Sequence, residues 1–184
     1  MYAAGDRAVE VLVTTAMPTE SILNQEHITP VSIGLIADLM LENGLFLATA
    51  ESCTGGMIAA ACTDMAGSSA WFERGYVTYS NAAKTDMLDV DAALIAQHGA
   101  VSEPVARAMA FGAIRHSQAQ ISVAVTGVAG PTGGSVEKPV GTVWFGFSVS
   151  GQLLSERKCF AGDRAAVRHA SVQHALKRLI ELLR

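Results

Sequence analysis

The sequence predicts an α/β fold: a single layered domain in which helices flank a mixed β-sheet. Three observations carry this prediction. Segments with helical spacing alternate with short apolar or β-branched segments for most of the length. The 184 residues suit one domain, and a chain of this size buries roughly 70% of its unfolded surface without a disulfide or metal staple. Half of the residues are apolar and only 16% are charged, which fits a packed core better than a disordered or fibrous chain.

The elements follow in order. Residues 1–28 are mixed and poorly periodic, and are expected to form a partly ordered N-terminal extension; the domain proper is expected over 29–184. Thr29 can cap a helix with Pro30 in its first position, Val31, Leu35, Leu39 and Met40 on one face, and Gly44 as the stop. Phe46 to Ala50 reads as a short buried strand, Gly55 to Met65 as a helix closed by Gly67, and Trp71 to Ser80 as a strand. Asn81 can cap a helix carrying Lys84, Met87 and Leu88. Asp91 to Gln97 gives another short helix closed by Gly99. Ser102-Glu103-Pro104 starts a helix with Val105, Met109, Ala113 and Ile114 on its apolar face. Ile121 to Thr126 is a β-branched strand, and Thr142 to Ser150 with Leu153 to Phe160 reads as a hairpin around Ser150-Gly151. Asp163 caps a closing helix, with Val167, Val172, Leu176, Leu179 and Leu183 near helical spacing.

Charge and cysteine usage narrow the function classes. A net charge of −4 gives no pull toward nucleic acid or an anionic membrane. No apolar run is long enough for a transmembrane helix. Asp6 and Glu10 interrupt the first apolar stretch, which argues against a signal peptide. Cys53, Cys62 and Cys159 form an odd count without a C-x-x-C pair, so the expected setting is a reducing cytoplasm. His27, His98, His116, His169 and His174 show no H-x-x-x-H or H-E-x-x-H spacing. No metal site and no cofactor are therefore expected.

Three segments can carry chemistry, each a strand end running into a polar turn, the place where open α/β sheets bind ligands. In the first, Glu51-Ser52-Cys53-Thr54-Gly55-Gly56, the glycines admit close backbone approach and the helix start offers partial positive charge. Ser52 stands where a nucleophile is presented, but spacing alone leaves it equally open that Ser52 and Thr54 only cap the helix. Cys53 is a rival nucleophile whose commoner fate is burial as a small apolar residue. In the second, Tyr79-Ser80-Asn81-Ala82-Ala83-Lys84, a lysine follows a strand-end hydroxyl. A desolvated lysine can serve a serine as base, although most lysines are simply solvated. The third is the loop from Gly127 to Gly141, with five glycines and two prolines, including Gly127, Gly130, Gly133 and Gly134. It is long for a structureless connection and can wrap an anion with backbone amides.

Together these segments resemble the CinA C-terminal domain family, also known as the PncC or nicotinamide-nucleotide amidase family. The resemblance rests on Glu51–Gly56, Gly67–Lys84, His98–Glu103, Gly127–Gly134, Lys138–Trp144 and Phe160–Arg164, six ordered motifs within about Val31 to Leu183. It implies hydrolysis of the carboxamide of nicotinamide mononucleotide to nicotinic acid mononucleotide and ammonia, without metal. Carried onto this sequence, it implies Ser52 as nucleophile and Lys84 as base, with Tyr79 and Thr126 as polar helpers. Thr54, Gly55, Gly56, Asn81, Gly127, Gly130, Gly133 and Gly134 are the expected substrate-binding positions. Either the Gly55-Gly56 helix start or the Gly130–Gly134 loop is expected to hold phosphate, and the other to donate to the oxyanion. The resemblance also implies a homodimer. Two-domain relatives carry a pyrophosphatase-like domain for which residues 1–28 are too short, so a stand-alone amidase is expected. The alternative is a nucleotide-binding, competence-associated or regulatory module without turnover.

Overall fold

In the computed structural model, residues 30–184 are described; Thr29 and the expected extension over 1–28 lie outside them. The elements are α1 (Pro30–Glu42), β1 (Leu47–Glu51), α2 (Met57–Thr63), β2 (Phe72–Val77), α3 (Asn81–Leu88), α4 (Ala92–His98), α5 (Glu103–Arg115), β3 (Ile121–Gly127), β4 (Thr142–Val149), β5 (Gln152–Cys159) and α6 (Arg164–Leu183). A 3-10 turn, Ser68–Ala70, precedes β2. The strands form one sheet in the order β2-β1-β3-β4-β5. β1 pairs in parallel with β2 and with β3, and the β3–β4 and β4–β5 pairs are antiparallel, so the sheet is mixed as expected.

Alternation along each strand divides the core into two layers. Leu47, Ile121, Val123, Val125, Phe145 and Phe147 face α1, α2 and α6, against Ile36, Met40, Ile58, Val172 and Leu176. Ala48, Ala50 and Ala124 face the other side, against Leu88, Ile95, Val105 and Met109 of α3, α4 and α5. Small residues let α5 sit close to the sheet. A Cβ on Gly146 of β4 would fall 2.3 Å from the Ala106 carbonyl oxygen, so no larger residue fits there.

Two local expectations change. The buried face of α1 is Ile33, Ile36, Ala37 and Met40, whereas Leu35 and Leu39 are half-buried. α1 is apolar nearly all round, so its periodicity alone does not choose the face; packing on α6 does. Ser80, not Asn81, caps α3: its Oγ accepts the Ala83 N–H at 3.0 Å, and Asn81 becomes the first helical residue. Both are good capping types, and the extended backbone of Ser80 decides between them.

The parallel arrangement brings the carboxyl ends of β2, β1 and β3 to one edge of the sheet. All three candidate segments leave the sheet there.

Candidate active site

Ser52 is the first residue beyond β1, and its N–H donates to the Val125 carbonyl at 2.9 Å. Strand alternation turns Glu51 toward α2 and Ser52 toward α3. Lys84 lies on α3 and is 1% exposed. Its Nζ donates to the Thr78 carbonyl at 2.9 Å and contacts Ser52 Oγ at 3.1 Å. Burial pulls the Lys84 ammonium below the ordinary lysine range; the Cys53 thiol acts in the opposite sense without reversing it. No carboxylate forms an ion pair with Lys84 among the described residues. The site thus sets a hydroxyl beside an amine biased toward its neutral, basic form.

Cys53 differs sharply from its neighbour. Burial drives its thiol up to about 11, with backbone N–H groups and Arg168 only partly offsetting that. At neutral pH it is a thiol, which is a poor nucleophile.

A cavity of about 210 Å³ opens over the pair, lined by Ser52, Cys53, Tyr79, Asn81, Lys84, Ala100, Val101, Thr126, Gly127, Ala129 and Arg164. Of the positions singled out in the sequence, Ser52, Cys53, Lys84, Tyr79, Thr126, Asn81 and Gly127 meet here. Thr126 Oγ1 donates to the Ala100 carbonyl at 2.9 Å and so ties β3 to the turn before α5. Tyr79 is exposed at the rim, where its hydroxyl accepts from Arg164 Nη2 at 2.9 Å. Thr54, Gly55, Gly56, Gly130, Gly133 and Gly134 do not line the cavity. Thr54 is fully buried behind it, with no hydrogen-bond partner for its hydroxyl among the described residues.

Two residues that the sequence reading passed over reorganise the site. The first is Glu51, fully buried at the end of β1. Its carboxylate accepts from the N–H groups of Gly56 (3.0 Å), Ile58 (3.0 Å) and Ala59 (2.8 Å). The start of α2, read from the sequence as a seat for phosphate or an oxyanion, already carries a carboxylate. The signal was present: an acidic residue just before a glycine-rich helix start suits the positive end of that helix. The second is Arg164, at the first position of α6. It lines the cavity and donates to both Tyr79 Oη and the Gly130 carbonyl (3.1 Å). It sat unremarked in the Phe160–Arg164 motif because a helix-start arginine normally reads as solvated surface.

Among the described residues, no group of three or more His, Cys, Asp or Glu side chains is placed to hold a metal ion, and no helix is long and apolar enough to cross a membrane.

Comparison with known proteins places this architecture. The family profile for the CinA C-terminal domain matches residues 32–183. The chain belongs to the CinA C-terminal domain family. Within that family it is 53% identical over 145 residues to a protein of Escherichia coli K12 named nicotinamide-nucleotide amidohydrolase PncC, covering 78% of this chain and 88% of that one. A Pseudomonas putida protein of the same name is 58% identical over 134 residues, covering 73% and 84%. A longer CinA-like protein of Citrifermentans bemidjiense is 57% identical over 141 residues, which span 77% of this chain but 34% of that protein. Among solved structures, the competence/damage inducible protein of Agrobacterium tumefaciens superposes with a TM-score of 0.80 at 46% identity, covering 84% of this chain and 94% of that one. CinA relatives thus share this chain's sheet and helices, and the Ser52–Lys84 pair sits at the strand-end edge of that common fold.

Proposed function

We propose that this chain hydrolyses the carboxamide of nicotinamide mononucleotide, releasing ammonia and nicotinic acid mononucleotide, with Ser52 as nucleophile and Lys84 as base. The observation that carries the reading is the 3.1 Å contact between Ser52 Oγ and the buried Lys84 Nζ. The names of the relatives supply the substrate.

The neutral Lys84 amine takes the Ser52 proton as Oγ attacks the carboxamide carbon. The resulting ammonium returns that proton to the departing nitrogen, and ammonia leaves. Water then attacks the Ser52 ester, and Lys84 again accepts and returns the proton. Thr78 holds the amine by its carbonyl throughout, so the base does not swing into solvent.

The substrate adds a phosphate and a cationic ring. Among the lining residues, Arg164 is the guanidinium available to the phosphate. Glu51 closes the start of α2 to anions by charge and by occupancy. Backbone N–H groups of the lining residues, those of Cys53 and Ala129 among them, are then the candidate oxyanion donors beside the cavity, the Val128 N–H being taken by the Thr142 carbonyl. Tyr79 and Asn81 shape the mouth, and Thr126 holds its floor. The homodimer implied by the resemblance belongs to the same proposal, and light scattering at two concentrations checks it.

A coupled ammonia assay on purified protein tests the reading, comparing nicotinamide mononucleotide with free nicotinamide in the presence of EDTA. Ammonia from the nucleotide, undiminished by EDTA, is the expected result. Tight binding of the nucleotide with no ammonia release would instead mark a binding module.

A further inference from the structure

The turn that carries Ser52 is held from two sides by opposite charges. On the inner side, Glu51 accepts from the N–H groups at the start of α2, as described above. On the outer side lies Arg168 of α6, 115 and 114 residues away in sequence from the two groups it holds. Its Nε donates to the Cys53 carbonyl at 3.1 Å and its Nη2 to the Thr54 carbonyl at 3.0 Å. Gly55 and Gly56, at φ +63° and +96°, then carry the chain from these carbonyls into α2. Arg168 is not among the residues that line the cavity, and among the described residues no hydrogen bond joins it to Ser52 Oγ or Lys84.

Four residues earlier, one helical turn away on the same face of α6, Arg164 reaches the other wall of the cavity. One helix therefore presents two arginines to two different objects. Arg164 meets the rim and the glycine loop; Arg168 meets the backbone of the nucleophile turn.

We propose that Arg168 is a positioning residue for Ser52: its forked guanidinium pins two successive carbonyls and so keeps the hydroxyl in line with the Lys84 amine. The inference rests on Ser52 being the nucleophile. The chemistry asks for arginine in particular. Two adjacent carbonyls accept from one planar fork, whereas a lysine ammonium is a single point charge without that fixed geometry. Displacing a reacting atom by about 1 Å can cost on the order of 100-fold in rate, so a loosened turn acts on kcat rather than on substrate capture.

The experiment compares Arg168→Met, Arg168→Lys and Arg164→Met with wild type in three measurements. These are kcat and KM for nicotinamide mononucleotide, the rate of Ser52 sulfonylation by phenylmethylsulfonyl fluoride read by intact mass, and the melting temperature. The expected result is a fall of roughly 10- to 100-fold in kcat and in labelling rate for Arg168→Met, with KM within about twofold and Arg168→Lys in between. Arg164→Met is expected to show the opposite split, with KM raised and Ser52 labelling unchanged. Methylguanidinium added to an Arg168→Ala variant is expected to restore part of the lost labelling rate. Wild-type kcat and labelling in Arg168→Met would overturn the proposal. So would a loss of kcat and a rise of KM that track a lowered melting temperature in both Arg168 variants without methylguanidinium rescue. A wild-type protein that neither releases ammonia nor labels at Ser52 would instead remove the nucleophile assignment itself, and the positioning role with it.

Discussion

Two cavities built partly from α6 differ in what their polar groups do. One, of about 480 Å³ between β5 and α6, is lined by Glu156, Lys158, His174, Lys177, Arg178 and Glu181. The other, of about 210 Å³, holds Ser52 and Lys84. The first is larger and more highly charged. Its groups, however, largely answer one another. Glu156 bonds to Arg178 and, at 3.0 Å, to His174, and Arg178 also reaches Glu181 at 2.9 Å. Burial lowers the His174 imidazole despite Glu156 beside it, and its ring rests edge-on against Phe145 at 4.7 Å. In the second cavity, the buried amine bonds, among the described residues, to a carbonyl and a hydroxyl alone. Size and charge describe the first site; unspent basicity describes the second. Chemistry needs a group whose preferred partner is missing until substrate arrives.

That contrast can be broken or sharpened by mutation. The largest effect is expected at Ser52. Ser52→Ala should reduce ammonia release by about 10³-fold or more, with folding unchanged by circular dichroism. Lys84→Met should come next, losing on the order of 10³-fold in kcat while leaving nucleotide binding by calorimetry nearly intact. Lys84 also has a stability signature. Its pKa is lowered in the fold, so the unfolded chain binds the extra proton between that lowered value and the ordinary 10.5. Stability should therefore rise with pH across that window, and Lys84→Met should flatten the rise in denaturant titrations. Arg164→Met should raise KM by roughly 10- to 100-fold with a smaller change in kcat, the loss of charge-assisted bonds to phosphate. Cys53→Ala should keep activity within about threefold in steady-state assays, because a thiol at about 11 is not ionised at neutral pH. Glu156→Gln, in the larger cavity, should leave activity unchanged and lower the melting temperature by at most a few degrees, since a partly exposed ion pair contributes about 1 kcal/mol or less.

The sequence made most of this architecture legible, and the exceptions share a cause. The strand starts, the helix stops at Gly44 and Gly99, and the Asp163 cap follow from local chemistry, so short windows reveal them; α2 instead closes at Asp64, and the expected stop Gly67 opens the 3-10 turn. Asp163 accepts from Ala166 N–H at 2.9 Å, as a capping residue should. Ser52 stands out as a strand-end hydroxyl and Lys84 as a lysine on the helix after a strand end, but their meeting across 32 residues is a product of sheet order, which no spacing encodes. The resemblance supplied that pairing. Glu51 escaped because its partners are the backbone of a helix folded back over its own strand. Arg164 and Arg168 escaped because an arginine near a helix start looks solvated until the opposite wall is known. The glycine loop was overread in the same way. Gly133 and Gly134 belong to its outer course, while Gly127 alone of its four named glycines reaches the cavity lining.

Activation of a hydroxyl by a desolvated amine is tested most directly by the pH dependence of Ser52 acylation. Labelling of Ser52 by phenylmethylsulfonyl fluoride should rise along a single acid limb whose midpoint lies below the ordinary lysine value of 10.5, and Lys84→Met should abolish that limb. A limb that persists unchanged in Lys84→Met, or a wild-type midpoint at the ordinary lysine value, would contradict it.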